Sequence, residues 1–434
     1  MKILKYICLL LLVVTITSTQ AQSVITIEKA IEIALENNFS IKMAKNNYYI
    51  SQNNNSLGNA GFLPDVALNV AQSNSVINTK QTFVDGRILD RDGAKSNSLN
   101  AGIGLSWTIF DGMKMFTTAD KLKELEKKGD LQVKQEVLNV VSEVILNYNL
   151  IVASQQQIKV LQQSILLSNE RLKLAEDKLT VGTGSKYDLL QAKFDKNADE
   201  SKVLQQSTQL SSVWNQFKIT LGVKSDSVYI ITDTLITLKT IDFNTIKKKF
   251  DEENLLLQQS EIDKKVAALE KKEVMSARLP SISLNGGYNF LQSTSQAGFL
   301  AANQNLGFNY GASLTYPLFD GFNLNRKIQN AELLSKNYEL ANDYARLQLN
   351  NYFVQLYTNY TTSLNQVKLE ESNALDAKEI LDLAAEKYKN GLLSTIEFRD
   401  AQLNFLSAND RLISAKMQAK QLEVELLKMS NSLP

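Results

Sequence analysis

Two carboxylates three residues apart, Glu397 and Asp400, have the type and spacing to do chemistry. On a helix this spacing puts both groups on one face, and paired carboxylates are the acid and base of glycoside hydrolysis. A hydrolase is expected to hold them in a cleft on short loops, whereas these two lie in a long predicted helix. An enzyme is therefore disfavoured, and a solvated helix face is the ordinary interpretation.

Other common catalytic groups are absent once a predicted leader is removed. The 434 residues contain no histidine and one cysteine, Cys8. Residues 1–21 carry two lysines, an apolar run and a small-residue end, which predicts a signal peptide. Cys8 lies inside the apolar run, so a lipid-anchored cysteine is disfavoured. We therefore expect no disulfide, no catalytic residue, no metal ion and no cofactor in the exported chain.

Charge and hydropathy argue against two further classes of protein. The 47 basic and 46 acidic residues become 45 and 46 when Lys2 and Lys5 are cleaved away, which leaves the chain nearly neutral. No nucleic-acid-binding patch is indicated. After the leader, no uninterrupted apolar run reaches about 18 residues, so we expect no transmembrane helix. If the chain crosses a membrane, it does so with strands.

The chain is an internal duplication. A Leu-Pro pair, a Phe-Asp-Gly turn and a glycine break recur in the same order. The landmarks are Pro64, Asp111, Gly112 and Gly182 in the first copy, and Pro280, Asp320, Gly321 and Gly391 in the second. Gly182 and Gly391 are 209 residues apart, whereas Pro64 and Pro280 are 216 apart. A repeat of this size means two copies of one structural unit.

Each copy changes its periodicity twice. Apolar residues at helical spacing predict a helix over Ile27–Ala60, capped by Thr26. Alternation then predicts a strand pair over about 65–110, with a return strand of nearly ten residues, about the span of a tilted membrane strand. A helical hairpin follows over about 113–221, and its first helix would extend about 100 Å.

The predicted domain organisation follows from this repeat. The first repeat occupies residues 22–222, a linker 223–243, and the second repeat 244–434, with its strand pair at about 281–319 and its hairpin at about 322–430. Leu161, Ser168 and Ala175 form part of a heptad seam, which predicts coiled-coil packing. The predicted fold class is α+β, with four strands and two long helical hairpins per chain.

Four strands cannot close a membrane barrel. The smallest such barrels use about eight strands, and an open edge in lipid leaves backbone groups without hydrogen-bond partners. The chain must therefore oligomerise, giving eight strands as a dimer or twelve as a trimer.

The ordered, duplicated set of hinges, Phe-Asp-Gly turns and glycine breaks resembles the TolC-like outer-membrane efflux proteins over nearly all of the exported chain. The resemblance implies a homotrimer whose twelve-stranded barrel in outer-membrane lipid continues into an α-helical periplasmic tunnel. The implied activity is passive conduction. The implied partners are a periplasmic adaptor and an inner-membrane pump of the RND, ABC or MFS type, with no nucleic acid.

The resemblance also assigns a periplasmic mouth. A ring of carboxylates from the second hairpin maps onto Glu397 and Asp400, and three copies would favour cations and raise some carboxyl pKa values. Asp188 is the first hairpin's acidic position, which in the family pairs with an arginine of the second tip. Leu393 occupies that arginine position here, while the family's tyrosine is retained as Tyr388. Lys186 or Arg399 could supply the missing charge.

Two further groups of residues have expected roles. The hairpin tips, where the adaptor would dock, are Gly182, Thr183, Gly184, Ser185, Gly391, Leu392, Leu393 and Ser394. The helix–strand hinges are Pro64, Pro280, Asp111, Gly112, Asp320 and Gly321. An exported coiled-coil scaffold without a pore is the alternative function. It leaves the strands unexplained and predicts release from membranes by washing instead of detergent.

Overall fold

The computed structural model describes residues 23–233, 236–297 and 300–434. The predicted signal peptide and Cys8 lie outside the described residues. The described chain is mostly helical, with one four-stranded antiparallel sheet and one two-stranded parallel pair. Its elements are β1 (Ser23–Val24), α1 (Ile27–Asn37), α2 (Phe39–Asn54), β2 (Asp65–Thr82), β3 (Ile88–Asp111), α3 (Lys114–Thr180), α4 (Lys186–Leu221), β4 (Tyr229–Ile230), α5 (Phe243–Glu253), α6 (Leu255–Ser276), β5 (Ser281–Ser295), β6 (Ala302–Thr315), α7 (Asn323–Lys389) and α8 (Thr395–Met429).

The chain forms two compact units. The hairpin unit comprises the described part of Met1–Lys45 together with Val133–Leu255 and Leu347–Pro434. The sheet unit comprises Asn46–Gln132 and Leu256–Arg346. The predicted class of four strands and two long helical hairpins per chain is confirmed.

The single helix predicted over Ile27–Ala60 is wrong, because α1 and α2 are separated at Asn38 and α2 ends at Asn54. The side-chain Oδ1 of Asn38 accepts a hydrogen bond from the N–H of Ser40 at 2.8 Å, which caps α2. Its Nδ2 donates to the carbonyl oxygen of Thr220 at 2.8 Å. This buried asparagine therefore ends one helix, begins the next and ties both to α4.

The second copy repeats this arrangement. Asn254 lies between α5 and α6, is 5% exposed, and donates from Nδ2 to the carbonyl oxygen of Met429 at the end of α8 at 2.8 Å. The two copies of the repeat therefore share this side-chain contact as well as the order of their elements.

The sheet has the order β2-β3-β5-β6, and each neighbouring pair is antiparallel. Its strands contain 18, 24, 15 and 14 residues, so the return strands β3 and β6 exceed the predicted length of about ten. Nearly every side chain of β2 and β6 is exposed. The outer edges of β2 and β6 therefore have no neighbouring strand within the described chain, and most of their apolar side chains are exposed.

The first helices of the hairpins, α3 and α7, contain 67 residues each. Among the described residues, α3 is the one helix long and apolar enough to cross a membrane, which differs from the expectation that none would be. However, 67% of its most apolar window is buried inside the protein, as in the core helix of a soluble protein. Its buried side chains include Val144, Tyr148 and Ile151, which belong to the core of the hairpin unit.

The segment predicted as a linker is anchored to both copies. Its strand β4 pairs in parallel with β1, and the hydroxyl of Tyr148 donates to Asp233 at 2.7 Å. Glu423 accepts a hydrogen bond from the N–H of Lys239 at 2.9 Å, and the hydroxyl of Tyr360 donates to the carbonyl oxygen of Lys239. Burial, reinforced by the charge of Glu423, raises the pKa of Tyr360 to about 12.

Candidate functional site

The tip of the first hairpin is a tight turn between α3 and α4. Gly182 has a φ of +78°, and the N–H groups of Thr183 and Gly184 both donate to the carbonyl oxygen of Lys178 at 2.9 Å. A Cβ atom at Gly184 would lie 2.7 Å from a backbone nitrogen of α3, so this position requires glycine. The hydroxyl oxygen of Ser185 then accepts from an N–H in the first turn of α4 at 3.0 Å.

The tip of the second hairpin uses a different start for its helix. Gly391 has a φ of +72°, and Leu392 donates its N–H to the carbonyl oxygen of Lys387 at 2.9 Å. Ser394 and Glu397 form a capping box: the hydroxyl of Ser394 accepts from the Glu397 N–H at 3.2 Å, and the Glu397 carboxylate accepts from the Ser394 N–H at 2.9 Å.

This capping box changes the electrostatics of a predicted ring residue. Hydrogen bonds from the side chain and backbone of Ser394 lower the pKa of the exposed Glu397 carboxyl. The rise in carboxyl pKa predicted for the ring requires the charges of neighbouring copies, and it stays a prediction. Within one chain, Glu397 is the third helical residue of the capping box, whose N-cap is Ser394.

A cleft of about 490 Å³ lies between the tips of the two hairpins. It is lined by three residues of the predicted periplasmic mouth, Asp188, Tyr388 and Asp400, and also by Leu393. Among the described residues that line it, Glu397 is not included. Asp188, at the predicted acidic position, and Leu393, at the position expected to hold an arginine, therefore line the same cleft.

Tyr388 is part of the apolar core beneath the tips. It is 6% exposed, and its ring stacks on that of Phe398 with centroids 4.9 Å apart and planes 9° apart. The ammonium of Lys178 lies 5.5 Å from the centroid of the Tyr388 ring, within range of a cation–π contact. The contact with Lys178 joins the first helices of the two hairpins, and the stack on Phe398 joins α7 to α8. The role of Tyr388 in the mouth stays a prediction.

Next to the cleft lies a buried charge cluster that the sequence analysis missed. Arg399 donates from Nη1 and Nη2 to the two carboxylate oxygens of Asp199 at 2.8 and 2.9 Å. Burial opposes ionisation of Asp199, but hydrogen bonds from Arg399 and Ser168 outweigh it and lower the pKa of that carboxyl. Arg399 was one of the two residues considered as a replacement for the arginine that Leu393 lacks. It is paired with Asp199 instead.

The cluster extends across several helices. Gln402 donates from Nε2 to the carbonyl oxygen of Ser164 at 2.8 Å and to the hydroxyl of Ser168 at 2.9 Å. Arg171 donates from Nη2 to Asp195. Ser168, predicted as a small residue of the heptad seam, is therefore a polar contact between the two hairpins.

A signal for this cluster is present in the sequence. Ser164, Ser168 and Arg171 lie at positions i, i+4 and i+7 of one helix, and Asp195 and Asp199 lie four apart on the next. Such spacing places each set on one helix face. Charges at helical spacing ordinarily indicate a solvated face. Because the pairing runs across three helices, no local pattern distinguishes a buried cluster from a solvated face.

The helix–strand hinges are also duplicated. Gly112 and Met113 have φ values of +70° each, and Gly321 and Phe322 have +68° and +63°. Two successive left-handed residues thus turn the chain into each long helix. A Cβ atom at Gly112 would lie 2.3 Å from the carbonyl oxygen of Ser276, so a larger residue there would displace α6.

Aspartates cap the helices that follow these turns. Asp111 accepts from the N–H of Met115 at 3.1 Å, and Asp320 accepts from the N–H of Leu324 at 2.7 Å. The prolines mark the other side of the strand pairs, since β2 and β5 begin at the residues directly after Pro64 and Pro280. In the described ranges, no group of three or more His, Cys, Asp or Glu side chains is arranged to hold a metal ion.

The fold is that of outer-membrane channels of known structure. The chain belongs to the outer membrane efflux protein family, whose model matches residues 30–223 and 248–432. Members of this family are outer membrane channel proteins, and the chain is located in the outer membrane.

Individual relatives agree with this assignment. The outer membrane protein TolC of Vibrio cholerae is 23% identical over 335 residues, which cover 75% of each chain. The CmeC outer membrane channel of Campylobacter jejuni superposes with a TM-score of 0.77 at 17% identity, covering 94% of this chain and 85% of that one. The outer membrane protein VceC of Vibrio cholerae gives 0.74 at 16% identity, covering 93% and 95%.

Proposed function

We propose that the protein is the exit duct of a tripartite efflux or type I secretion system. In this role it conducts substrates passively across the outer membrane, and an inner-membrane pump of the RND, ABC or MFS type supplies the energy. The protein is a conduit and not an enzyme.

The observation that carries this proposal is the sheet with two open edges. Strands β2 and β6 have no neighbour on their outer side within the described chain, and unpaired backbone groups are strongly unfavourable in lipid. A homotrimer removes both edges by joining β2 of one copy to β6 of the next. Twelve strands then form a closed barrel, within the range of known membrane barrels.

The hairpin tips are the proposed docking surface for a periplasmic adaptor. Apolar side chains beside each glycine break are exposed, with Val181 at 71% and Leu392 at 76%. In the trimer these tips would surround the periplasmic mouth, where Asp188, Tyr388, Glu397 and Asp400 are the proposed gate and selectivity residues. An adaptor that covers the exposed apolar side chains would also connect the duct to the pump.

The test is single-channel recording of detergent-purified protein in a planar bilayer under a salt gradient, with chemical crosslinking to determine the oligomer. We expect a crosslinked trimer with small, stable, cation-selective openings. A protein released from membranes by salt washing and without conductance would support the coiled-coil scaffold instead. Detergent-requiring trimers that never conduct would contradict free conduction and indicate a mouth sealed at rest.

A further inference from the structure

Arg171 is a fully buried cation with unused hydrogen-bond donors. Its side chain is 0% exposed, and Nη2 donates to Asp195. Its Nε and Nη1 atoms are buried and have no hydrogen-bond partner. An arginine side chain carries only donors and stays charged in proteins, and buried donors in native proteins are almost always satisfied. These two nitrogens therefore require an acceptor that the described chain does not supply.

A cleft of about 300 Å³ adjoins this side chain. Arg171 forms part of its wall, and its apolar surface includes Leu167, Leu174 and the stacked rings of Tyr388 and Phe398. This volume is at the lower end of the range for small-molecule sites, which combine apolar walls with a few convergent polar groups. The cleft is lined by α3 of the first hairpin and by α7 and α8 of the second, so an occupant contacts both hairpins.

The charged side chains at the rim balance one another. Lys389 and Glu170 form an ion pair of 3.0 Å, and their side chains are 62% and 56% exposed. Lys173 and Asp177 are exposed on the same rim. Since Asp195 also balances the charge of Arg171, the cleft selects for an acceptor oxygen and not for a high negative charge.

We propose that this cleft binds a small amphipathic molecule that presents an acceptor oxygen, best an aromatic monocarboxylate. Nε and Nη1 of Arg171 are covered by protein atoms, so binding includes a turn of the guanidinium towards the cleft. There the oxygen accepts from the donors that Asp195 leaves unused, and the ring packs against Leu174 and the Tyr388–Phe398 stack. A carboxylate is favoured over a neutral carbonyl group because both partners of the hydrogen bond are then ionised and its two oxygens can accept from two nitrogens of Arg171. Phosphate esters are disfavoured by the nearly neutral surroundings.

The test is fluorine NMR titration of the full-length, detergent-solubilised protein with three probes. The probes are 4-(trifluoromethyl)benzoate, 4-(trifluoromethyl)benzamide and trifluoromethylbenzene, which share an apolar body and differ in the acceptor. We expect saturable binding in the order benzoate, benzamide, trifluoromethylbenzene. Equal binding of trifluoromethylbenzene and benzoate would overturn the proposal, because it would show that Arg171 contributes nothing.

Two variants locate the site. Ala385→Phe fills the cleft from α7 and leaves Arg171 intact, and Arg171→Lys removes the unused guanidinium donors and keeps the charge. Each should weaken benzoate binding by at least about tenfold, as expected for a lost charge-assisted hydrogen bond or an occluded cleft. The control is Arg411→Gln, which removes a half-exposed guanidinium that pairs with Glu370 on the same hairpin and should leave the affinity within about twofold. Unchanged affinity in Ala385→Phe would overturn the proposal even if Arg171→Lys folds poorly, since Ala385→Phe retains the native cluster.

Discussion

Arg399 of the second hairpin and Asp199 of the first are joined by two hydrogen bonds, from Nη1 at 2.8 Å and from Nη2 at 2.9 Å. The Asp199 side chain is 0% exposed and that of Arg399 is 13% exposed. The two copies of the repeat are therefore linked by a buried ion pair in addition to apolar packing. Such a pair adds little to stability over an apolar substitute, but removing one partner leaves a buried charge without compensation.

The first prediction concerns the stability of this link. Arg399→Met should destabilise the protein by about 3–5 kcal/mol, because it leaves the Asp199 carboxylate buried and unpaired. The check is denaturant unfolding of the solubilised protein, followed by circular dichroism. The matched control is Lys378→Met on α7, whose ion pair with Asp382 is 61% and 65% exposed and should contribute about 0–1 kcal/mol.

A double variant separates the lost charge from the lost packing. Arg399→Met combined with Asp199→Asn should recover a large part of the stability, because the uncompensated charge is gone. A double variant as unstable as Arg399→Met alone would show that the guanidinium acts through packing and not through its charge.

The second prediction concerns pH. Burial opposes ionisation of Asp199, but hydrogen bonds from Arg399 and Ser168 lower its pKa in the folded protein. Since this pKa lies below the unfolded value of about 3.9, the pair contributes fully at neutral pH, and its contribution is lost as the pH falls through the folded pKa. The stability difference between the parent protein and Arg399→Met should therefore be largest near pH 7. It should shrink as the pH falls, beginning where the buried, unpaired Asp199 of the variant takes up a proton.

Unfolding measured from pH 7 to pH 3 on both proteins checks this trend. Carboxylates remote from Arg399 cancel in the difference, which therefore reports on its pair with Asp199 and on its longer contact with Asp195 at 4.0 Å. A difference that stays constant over the range would mean that Asp199 is not the titrating partner.

The fold class was predictable because its signals are local and repeated. Helical periodicity persists through α3 and α7, and the same glycine break at Gly182 and Gly391 ends both helices. The break at Asn38 was missed, because an asparagine within a helical pattern gives no sign that its partner is Thr220, 182 residues away. Arg399 was considered as a replacement charge, but its pairing with Asp199 was missed for the same reason, since Asp199 lies on another helix 200 residues away.

The third prediction separates the two carboxylates of the proposed selectivity ring. Asp400 is exposed and lines the cleft that contains Asp188, whereas the Glu397 carboxylate is engaged with Ser394. Asp400→Asn should therefore reduce cation selectivity and block by multivalent cations more than Glu397→Gln, and alanine at both positions should reduce them most. Reversal potentials in a salt gradient provide the measurement.

Glu397 also stabilises the start of α8 through its capping box with Ser394. A variant of Ser394 therefore separates this effect on stability from the charge of the mouth. Ser394→Ala removes the cap and should destabilise the start of α8 by about 1 kcal/mol without altering the charge of the mouth. Unchanged selectivity in the double alanine variant at positions 397 and 400 would remove both residues from the ring.

The fourth prediction concerns the leucine at the family's arginine position. Leu393 lines the same cleft as Asp188 and Asp400, so Leu393→Arg places a guanidinium among carboxylates and should form the missing ion pair across the two tips. We expect a lower resting conductance in planar bilayers, because the pair would hold the tips together at the mouth. Leu393→Gln, which adds polarity without charge, should leave the conductance close to that of the parent. If Leu393→Arg conducts like the parent, the mouth is held by other contacts, and the Arg399–Asp199 pair is then the first to examine.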